Sequence, residues 1–344
     1  MMIFIGLLII AIGAFCQSSC YVPINKIKSW SWESYWITQG VFAWLILPFL
    51  GALLAVPAGH SLCELFTAEQ SFNIWMTILF GALWGVGGLT FGLSMRYLGV
   101  ALGQSIALGT CAGLGTIMGP VLLNIFFPEN DPLSQLTFAV ILGVVVTLIG
   151  IAIIGIAGSM KAASLSEEEK KAAVKDFNFP KGITIALLAG FMSGCFNVGL
   201  TFGQDINFGD LTPEIYKTLP ATLLVTLGGF VTNAIYCFYQ NQKNHTWGDY
   251  LKGDVLANNL LFCLLAGALW YSQFFGLALG KGFLTSSETL TTLSFCILMA
   301  LNVVFSNVWG IILKEWKGCS PRTITVLVIG IVVLVVSCFL PQLV

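Results

Sequence analysis

Residues 136–181 read LTFAVILGVVVTLIGIAIIGIAGSMKAASLSEEEKKAAVKDFNFPK. Up to residue 158 this stretch carries no charged side chain. At about 1.5 Å of rise per residue, a helix of that length crosses the roughly 30 Å hydrocarbon core of a bilayer. The remainder is the only long hydrophilic segment of the chain, holding Ser166, then Glu167, Glu168 and Glu169, then Lys170 and Lys171. A serine followed by acids, with lysines three and four positions beyond the first of them, suits a short helix at an aqueous surface. Working outward in both directions, the apolar pattern recurs at residues 2–22, 35–56, 73–95, 98–122, 182–203, 216–240, 256–279, 287–312 and 322–341. Five stretches therefore lie on each side of the charged segment. Helices satisfy their own backbone hydrogen bonds in lipid, so each stretch predicts one transmembrane helix. With 57% apolar and 9% charged residues, the chain is expected to be an all-α integral membrane protein of ten transmembrane helices. That composition excludes a water-soluble enzyme and makes transport the leading question.

The positive charges order the topology. Of the 15 Lys and Arg residues, all but Lys217 and Lys281 fall in every second connection: Lys26, Lys28, Arg96, the cluster from Lys161 to Lys181, Lys243, Lys252, Lys314, Lys317 and Arg322. The other side carries the acidic Glu64, Glu69, Glu129 and Asp131. Basic loops stay cytoplasmic, so both termini are expected to face outward. The positive charge forms no patch, and no nucleic-acid partner is expected. The ten cysteines are scattered without a C-x-x-C pair and read as small buried apolar residues. Gly13-Ala14-Phe15-Cys16 has the outline of a lipoprotein cleavage site, but no basic residue precedes it and Phe15 is too bulky. The first helix is expected to remain uncleaved.

Two sequence echoes suggest a duplication. Gly81-Ala82-Leu83-Trp84 recurs as Gly267-Ala268-Leu269-Trp270, and Gly143-Val144-Val145-Val146 resembles Gly330-Ile331-Val332-Val333. They pair stretches three with eight and five with ten. The expected organisation is a first five-helix repeat over 1–160, a cytoplasmic linker over 161–181 and a second repeat over 182–344. An odd number of helices per repeat inverts the second relative to the first, an arrangement that gives transporters two related conformations around a midplane site.

Particular residues then resemble a family. Tyr21-Val22-Pro23 with Lys26-Ile27-Lys28-Ser29-Trp30-Ser31-Trp32-Glu33, and Gly81 to Gly85 with Gly92 to Gly99, are similar to the bacterial L-rhamnose–proton symporters. So are Leu219-Pro220, Gly228-Gly229 and Asn233, the run from Trp270 to Phe275, and Leu313-Lys314-Glu315-Trp316. The resemblance runs from about residue 13 to the C-terminus. It implies a drug/metabolite transporter superfamily fold and sugar uptake driven by the proton gradient. The chain departs from the pattern at Gln17, around Gly88-Leu89-Thr90-Phe91, at Gln104 and at the start of the ninth stretch. The expected substrate is L-rhamnose or a closely related deoxy sugar.

Polar side chains inside membrane helices are costly unless they pair or line a wet cavity. Ser193, Asn197, Thr201 and Gln204 share one helical face, as do Thr291, Thr292, Phe295, Asn302, Ser306 and Trp309. Asn259, Phe262, Trp270 and Gln273 form a third face. Candidate sugar-binding residues are Gln17, Trp84, Gln104, Asn197, Gln204, Trp270, Gln273 and Asn302. Ser and Thr at such places commonly only join helices, and Trp84 and Trp270 suit packing as well as sugar stacking. A proton carrier needs a carboxyl whose pKa burial can raise, and Glu288 and then Asp205 are the first choices. Glu33, Arg96 and Glu315 are expected in gating or structural roles. Gly81, Gly85, Gly88, Gly92 and Gly99 let helices approach closely, and a bulky residue at Gly88 is expected to trap one conformation.

The reading is therefore a proton-coupled sugar importer working by alternating access, with H+ as coupling ion and no metal, organic cofactor or covalent chemistry. Its partners are a sugar and the bilayer, and its oligomeric state is left open. No nucleophile–base pair emerges for an enzyme. The rivals are a carrier of the same fold for another small metabolite and a membrane sugar sensor without turnover.

Overall fold

The computed structural model describes residues 2–67, 69–98, 100–164, 179–314 and 316–340, without the side chains of 92, 95, 96, 100–102, 104 and 179. Every regular element among the described residues is helical. Among the described residues ten helices are long and apolar enough to span a membrane: Met2–Ile24, Trp32–Leu53, Ser71–Phe91, Ser105–Phe126, Phe138–Ala163, Pro180–Phe202, Glu214–Asn244, Gly253–Leu284, Glu288–Ile312 and Pro321–Phe339, called spans 1 to 10. The ten expected stretches coincide with them, with the ends adjusted. The second stops at Leu53, short of Pro57, and the third continues as helix to Leu98. Of the 161–181 linker, residues 165–178, including the expected short helix, lie outside the described residues.

Side-chain hydroxyls fix where several spans begin. Thr137 accepts from the Val140 N–H, Ser287 from Leu290 and Ser320 from Thr323, each meeting a backbone donor that the helix itself leaves unpaired. Large apolar side chains point outward along the spans: Phe138 is 74% exposed and Trp75 is 69% exposed. In water such surfaces drive association; in a bilayer they face the acyl chains.

The chain divides into two compact units that cut across the sequence order. The first comprises 1–85 and 199–284 and so holds spans 1, 2, 7 and 8, most of span 3 and the end of span 6. Within it span 1 lies along span 8 through glycines: a Cβ added at Gly6 would fall 2.9 Å from the Gly280 carbonyl oxygen, and one at Gly13 would fall 2.8 Å from that of Ser272. Span 3 lies on span 7 in the same way, Gly81 over the Val225 backbone and Gly85 over Gly229. Small residues are what permit backbones to meet at this range.

The second unit comprises 86–198 and 285–344. Spans 5 and 10 pack through Gly150 against Leu334 and Gly330 against Ile154, and the Thr147 hydroxyl donates to Ser337 Oγ at 3.0 Å. Spans 4 and 6 meet at Gly115 and Gly194. Gly87 is tight against Ser193, whereas a Cβ at Gly88 meets nothing within 4 Å. The close approach expected at Gly88 is therefore made by its neighbour.

Candidate functional site

In the first unit the two tetrapeptides matched in sequence meet at their tryptophans. Trp84 on span 3 and Trp270 on span 8 have ring centroids 5.6 Å apart at 37°. A third indole, Trp44 on span 2, stands edge-on to both, 6.0 Å from Trp84 and 5.8 Å from Trp270. Trp36 lies 5.7 Å behind Trp44 and stacks on Trp32 at 5.4 Å. Local backbone explains the convergence. Span 2 is α-helical over Trp32–Gly40, widens to a π-helix over Val41–Ile46, and returns to α-helix over Leu47–Leu53. A π-turn inserts a residue and turns the following side chains to a new direction, and such turns concentrate at functional sites. Gly229 on span 7 leaves the space into which the Trp84 ring fits. Trp84 and Trp270 are half-buried, and indoles of this kind can take the C–H surface of a sugar ring.

Buried amides lie on span 8 itself and on span 1, which packs along it. Gln273 is buried one turn beyond Trp270 and donates to the Trp270 carbonyl at 3.2 Å. Tyr271 is buried with its hydroxyl against Gly51. Gln17 Oε1 is buried on span 1 with no hydrogen bond among the described residues. The wall thus gathers Trp84, Trp270 and Gln273 from the expected set. Gln204 and Asp205 are exposed just beyond the end of span 6.

The second unit places Asn197 and Asn302 inside its own packing. Asn197 Nδ2 donates to the Gly115 carbonyl on span 4 at 2.8 Å, and Phe295 on span 9 is buried against the same glycine. Asn302 is buried on span 9, two turns further along. Glu288 is exposed in the first turn of span 9, where a carboxylate complements the positive end of the helix dipole. The burial invoked for Glu288 and Asp205 is thus absent at both positions in this conformation. The side chains of Arg96 and Gln104, and Glu315, lie outside the described residues.

Among the described residues the buried acids are elsewhere, in a polar cluster of the first unit where span 2 begins and span 7 ends. Glu33 is 5% exposed and accepts from Asn244 Nδ2 at 2.9 Å and the Thr246 hydroxyl at 2.8 Å. Asp249, also 5% exposed, accepts from the Ser31 N–H at 2.7 Å, from the Ser31 and Ser34 hydroxyls at 2.8 and 2.9 Å, and from Lys252 Nζ at 2.6 Å. Asn241 Oδ1 lies 3.1 Å from the Ser34 hydroxyl and 2.9 Å from that of Thr246, so each hydroxyl is shared between a carboxylate and this amide, and the two carboxylates join one network. Burial works against the Asp249 charge, but Lys252 and the Ser31 and Ser34 donors outweigh it and hold the carboxyl at about 2, below its usual 3.8. Asp249 thereby caps span 2 from a loop more than two hundred residues away.

Sequence reasoning missed Trp44, Gln39 and Asp249. The available signal for Trp44 was its mid-span position, away from the interfacial belts that account for Trp32 and Trp75. For Asp249 it was the pattern Ser31-x-x-Ser34 opening a span, a helix start in want of an acceptor.

The chain has counterparts by sequence along nearly its whole length. The family model described as L-rhamnose-proton symport protein (RhaT) matches residues 1–343. A protein of Yersinia pestis (strain Pestoides F) named L-rhamnose-proton symporter is 32% identical, over 97% of this chain and 96% of its own. One of Yersinia pseudotuberculosis serotype O:1b (strain IP 31758), with the same name, matches to the same extent. With agreement along nearly its whole length, the chain belongs to the L-rhamnose-proton symport protein (RhaT) family.

Proposed function

We propose that this protein imports L-rhamnose, or a closely related deoxy sugar, together with a proton by alternating access across a bacterial inner membrane, with both termini periplasmic. The observation that carries the sugar reading is the wall of Trp44, Trp84 and Trp270 inside membrane-spanning helices. A deoxy sugar has an apolar face suited to such rings and hydroxyls suited to the neighbouring amides. Full-length similarity to L-rhamnose-proton symporters supports the substrate and the coupling ion. The work done is binding and movement, without covalent chemistry or an organic cofactor.

Two five-helix repeats, 1–160 and 182–344 around the 161–181 linker, underlie the mechanism. Their support is specific. Gly81 on span 3 packs on the backbone of Val225 on span 7, and Gly267 on span 8 packs on the backbone of Gln39 on span 2. One sequence offset relates Gly81 to Gly267 and Gln39 to Val225, so the same contact is made twice by equivalent partners. Repeats of inverted orientation supply the inward- and outward-facing forms. Glu288 and Asp205 take the coupling proton in this reading. Their exposure leaves both carboxyl groups open to the outer solution. Asn197, Asn302, Gln17, Gln104 and Gln204 are the remaining candidate contacts to sugar, and Glu33, Arg96 and Glu315 have gating or structural roles.

Competition in proteoliposomes tests the substrate. Unlabelled L-rhamnose and other 6-deoxy sugars are expected to suppress uptake of labelled L-rhamnose, while hexoses lacking that pattern do so weakly. Indifference to every 6-deoxy sugar overturns the substrate. Saturable binding without counterflow assigns the protein to sensing instead.

A further inference from the structure

At and just before the π-turn of span 2, two buried polar atoms have no protein partner among the described residues. Trp44 is 2% exposed, and its ring folds back over Gly40, where an added Cβ would come within 2.5 Å of ring carbons Cε3 and Cζ3. Its neighbour Trp36 donates Nε1 to Asn233 Oδ1 at 2.9 Å. Trp44 Nε1 donates to nothing among the described residues. On the preceding turn Gln39 is 1% exposed, and its Oε1 accepts from nothing among them. Buried donors and acceptors are nearly always paired, so two failures beside one aromatic cluster call for a reason.

Packing does not supply one. Gln39 serves span 8 through its backbone, which lies against Gly267. At the equivalent place in the other repeat the same contact with Gly81 is made by Val225, whose side chain has no polar atom to satisfy. The corresponding stretch of span 7 is also unbroken α-helix, within Leu219–Asn244. The amide and the π-turn are thus departures from a contact that works without either. Local departures from the best-packed arrangement concentrate at functional sites.

We propose that the Trp44 Nε1–H and the Gln39 amide oxygen are specificity-determining contacts to the hydroxyls of a monosaccharide held against the Trp84 and Trp270 rings. The indole N–H donates to one sugar oxygen, and the amide oxygen accepts from a sugar O–H. The assignment rests on the sugar-carrier reading above and adds to it the polar half of the site. A site built to pair hydroxyls discriminates against sugars lacking them, because its own groups are then left unmet.

The test is equilibrium binding to the purified full-length protein in nanodiscs, with labelled L-rhamnose and a panel of its monodeoxy and O-methyl derivatives and common hexoses. Trp44→Phe keeps an aromatic ring and removes the donor; Gln39→Met keeps length and removes the amide. Each is expected to weaken binding about tenfold, near the upper end for one hydrogen bond. For Trp44→Phe the loss is expected to vanish with the one derivative whose missing hydroxyl is its partner. Thermal stability without sugar is expected to hold or rise in Gln39→Met, since an unmet buried acceptor is gone; a packing role lowers it and leaves affinity unchanged. Wild-type affinity across the panel in both folded variants overturns the assignment. If wild-type protein prefers another sugar to L-rhamnose, the named substrate falls and the variants are judged on the preferred sugar. If it binds no sugar, both fall.

Discussion

Replacing Asp249 by Asn keeps one acceptor in the cluster at the start of span 2 and removes its charge. The carboxyl is buried, holds the Ser31 and Ser34 donors and Lys252, and sits at about 2 in the folded protein against a usual 3.8. Because the folded value is the lower one, the charged form stabilises the fold above pH 4, and that contribution disappears as pH falls through 2. A pKa difference of one is worth about 1.4 kcal/mol, so the charge contributes about 2 kcal/mol at pH 7. Thermal unfolding in detergent, followed by intrinsic fluorescence, reads it. Asp249→Asn is expected to melt a few degrees below wild type at pH 7, and the gap is expected to narrow steadily between pH 4 and pH 2. Equal melting temperatures at pH 7, or a gap that widens in acid, would refute the claim that Asp249 caps span 2 as a carboxylate.

Further outcomes follow from particular residues. Gly40→Ala drives a methyl into the Trp44 ring and is expected to raise the apparent Kd for sugar several-fold, read by the same nanodisc binding assay. Gly81→Ala meets the Val225 backbone and is expected to cost about 1–3 kcal/mol in thermal or SDS unfolding, as overpacking does. Gly88→Ala meets nothing within 4 Å and is expected to change stability by less than about 0.5 kcal/mol, so equal effects at the two glycines contradict the packing described. Glu288→Gln or Asp205→Asn is expected to abolish sugar accumulation driven by a proton gradient while sparing exchange of labelled for unlabelled sugar; accumulation at wild-type level in both variants removes these acids from the coupling step.

The spans were legible because hydrocarbon imposes one rule on every residue along them, and that rule is written in hydropathy. Trp84 and Trp270 were legible as a pair because a repeated GALW tetrapeptide marks equivalent positions, and equivalent positions of spans 3 and 8 meet. Trp44 was not, because its direction depends on a π-turn over Val41–Ile46 that apolar residues accommodate without a compositional mark. Asp249 was hidden for a different reason: its partners Ser31 and Ser34 come to it only through tertiary folding. Glu288 stood out as an acid beside an apolar stretch, but a residue in the first turn of a span can be solvated, and sequence position alone does not distinguish that from burial. Gly88 illustrates the same limit at one-residue scale, since Gly87 makes the contact and Gly88 faces open space.

The central claim is that sugar and proton move together. Purified protein in liposomes, given external L-rhamnose and an inward proton gradient, is expected to accumulate the sugar above its external concentration while the external solution turns alkaline. Both signals are expected to vanish with a protonophore. Uptake that merely equilibrates, with no alkalinisation and no response to the protonophore, contradicts symport.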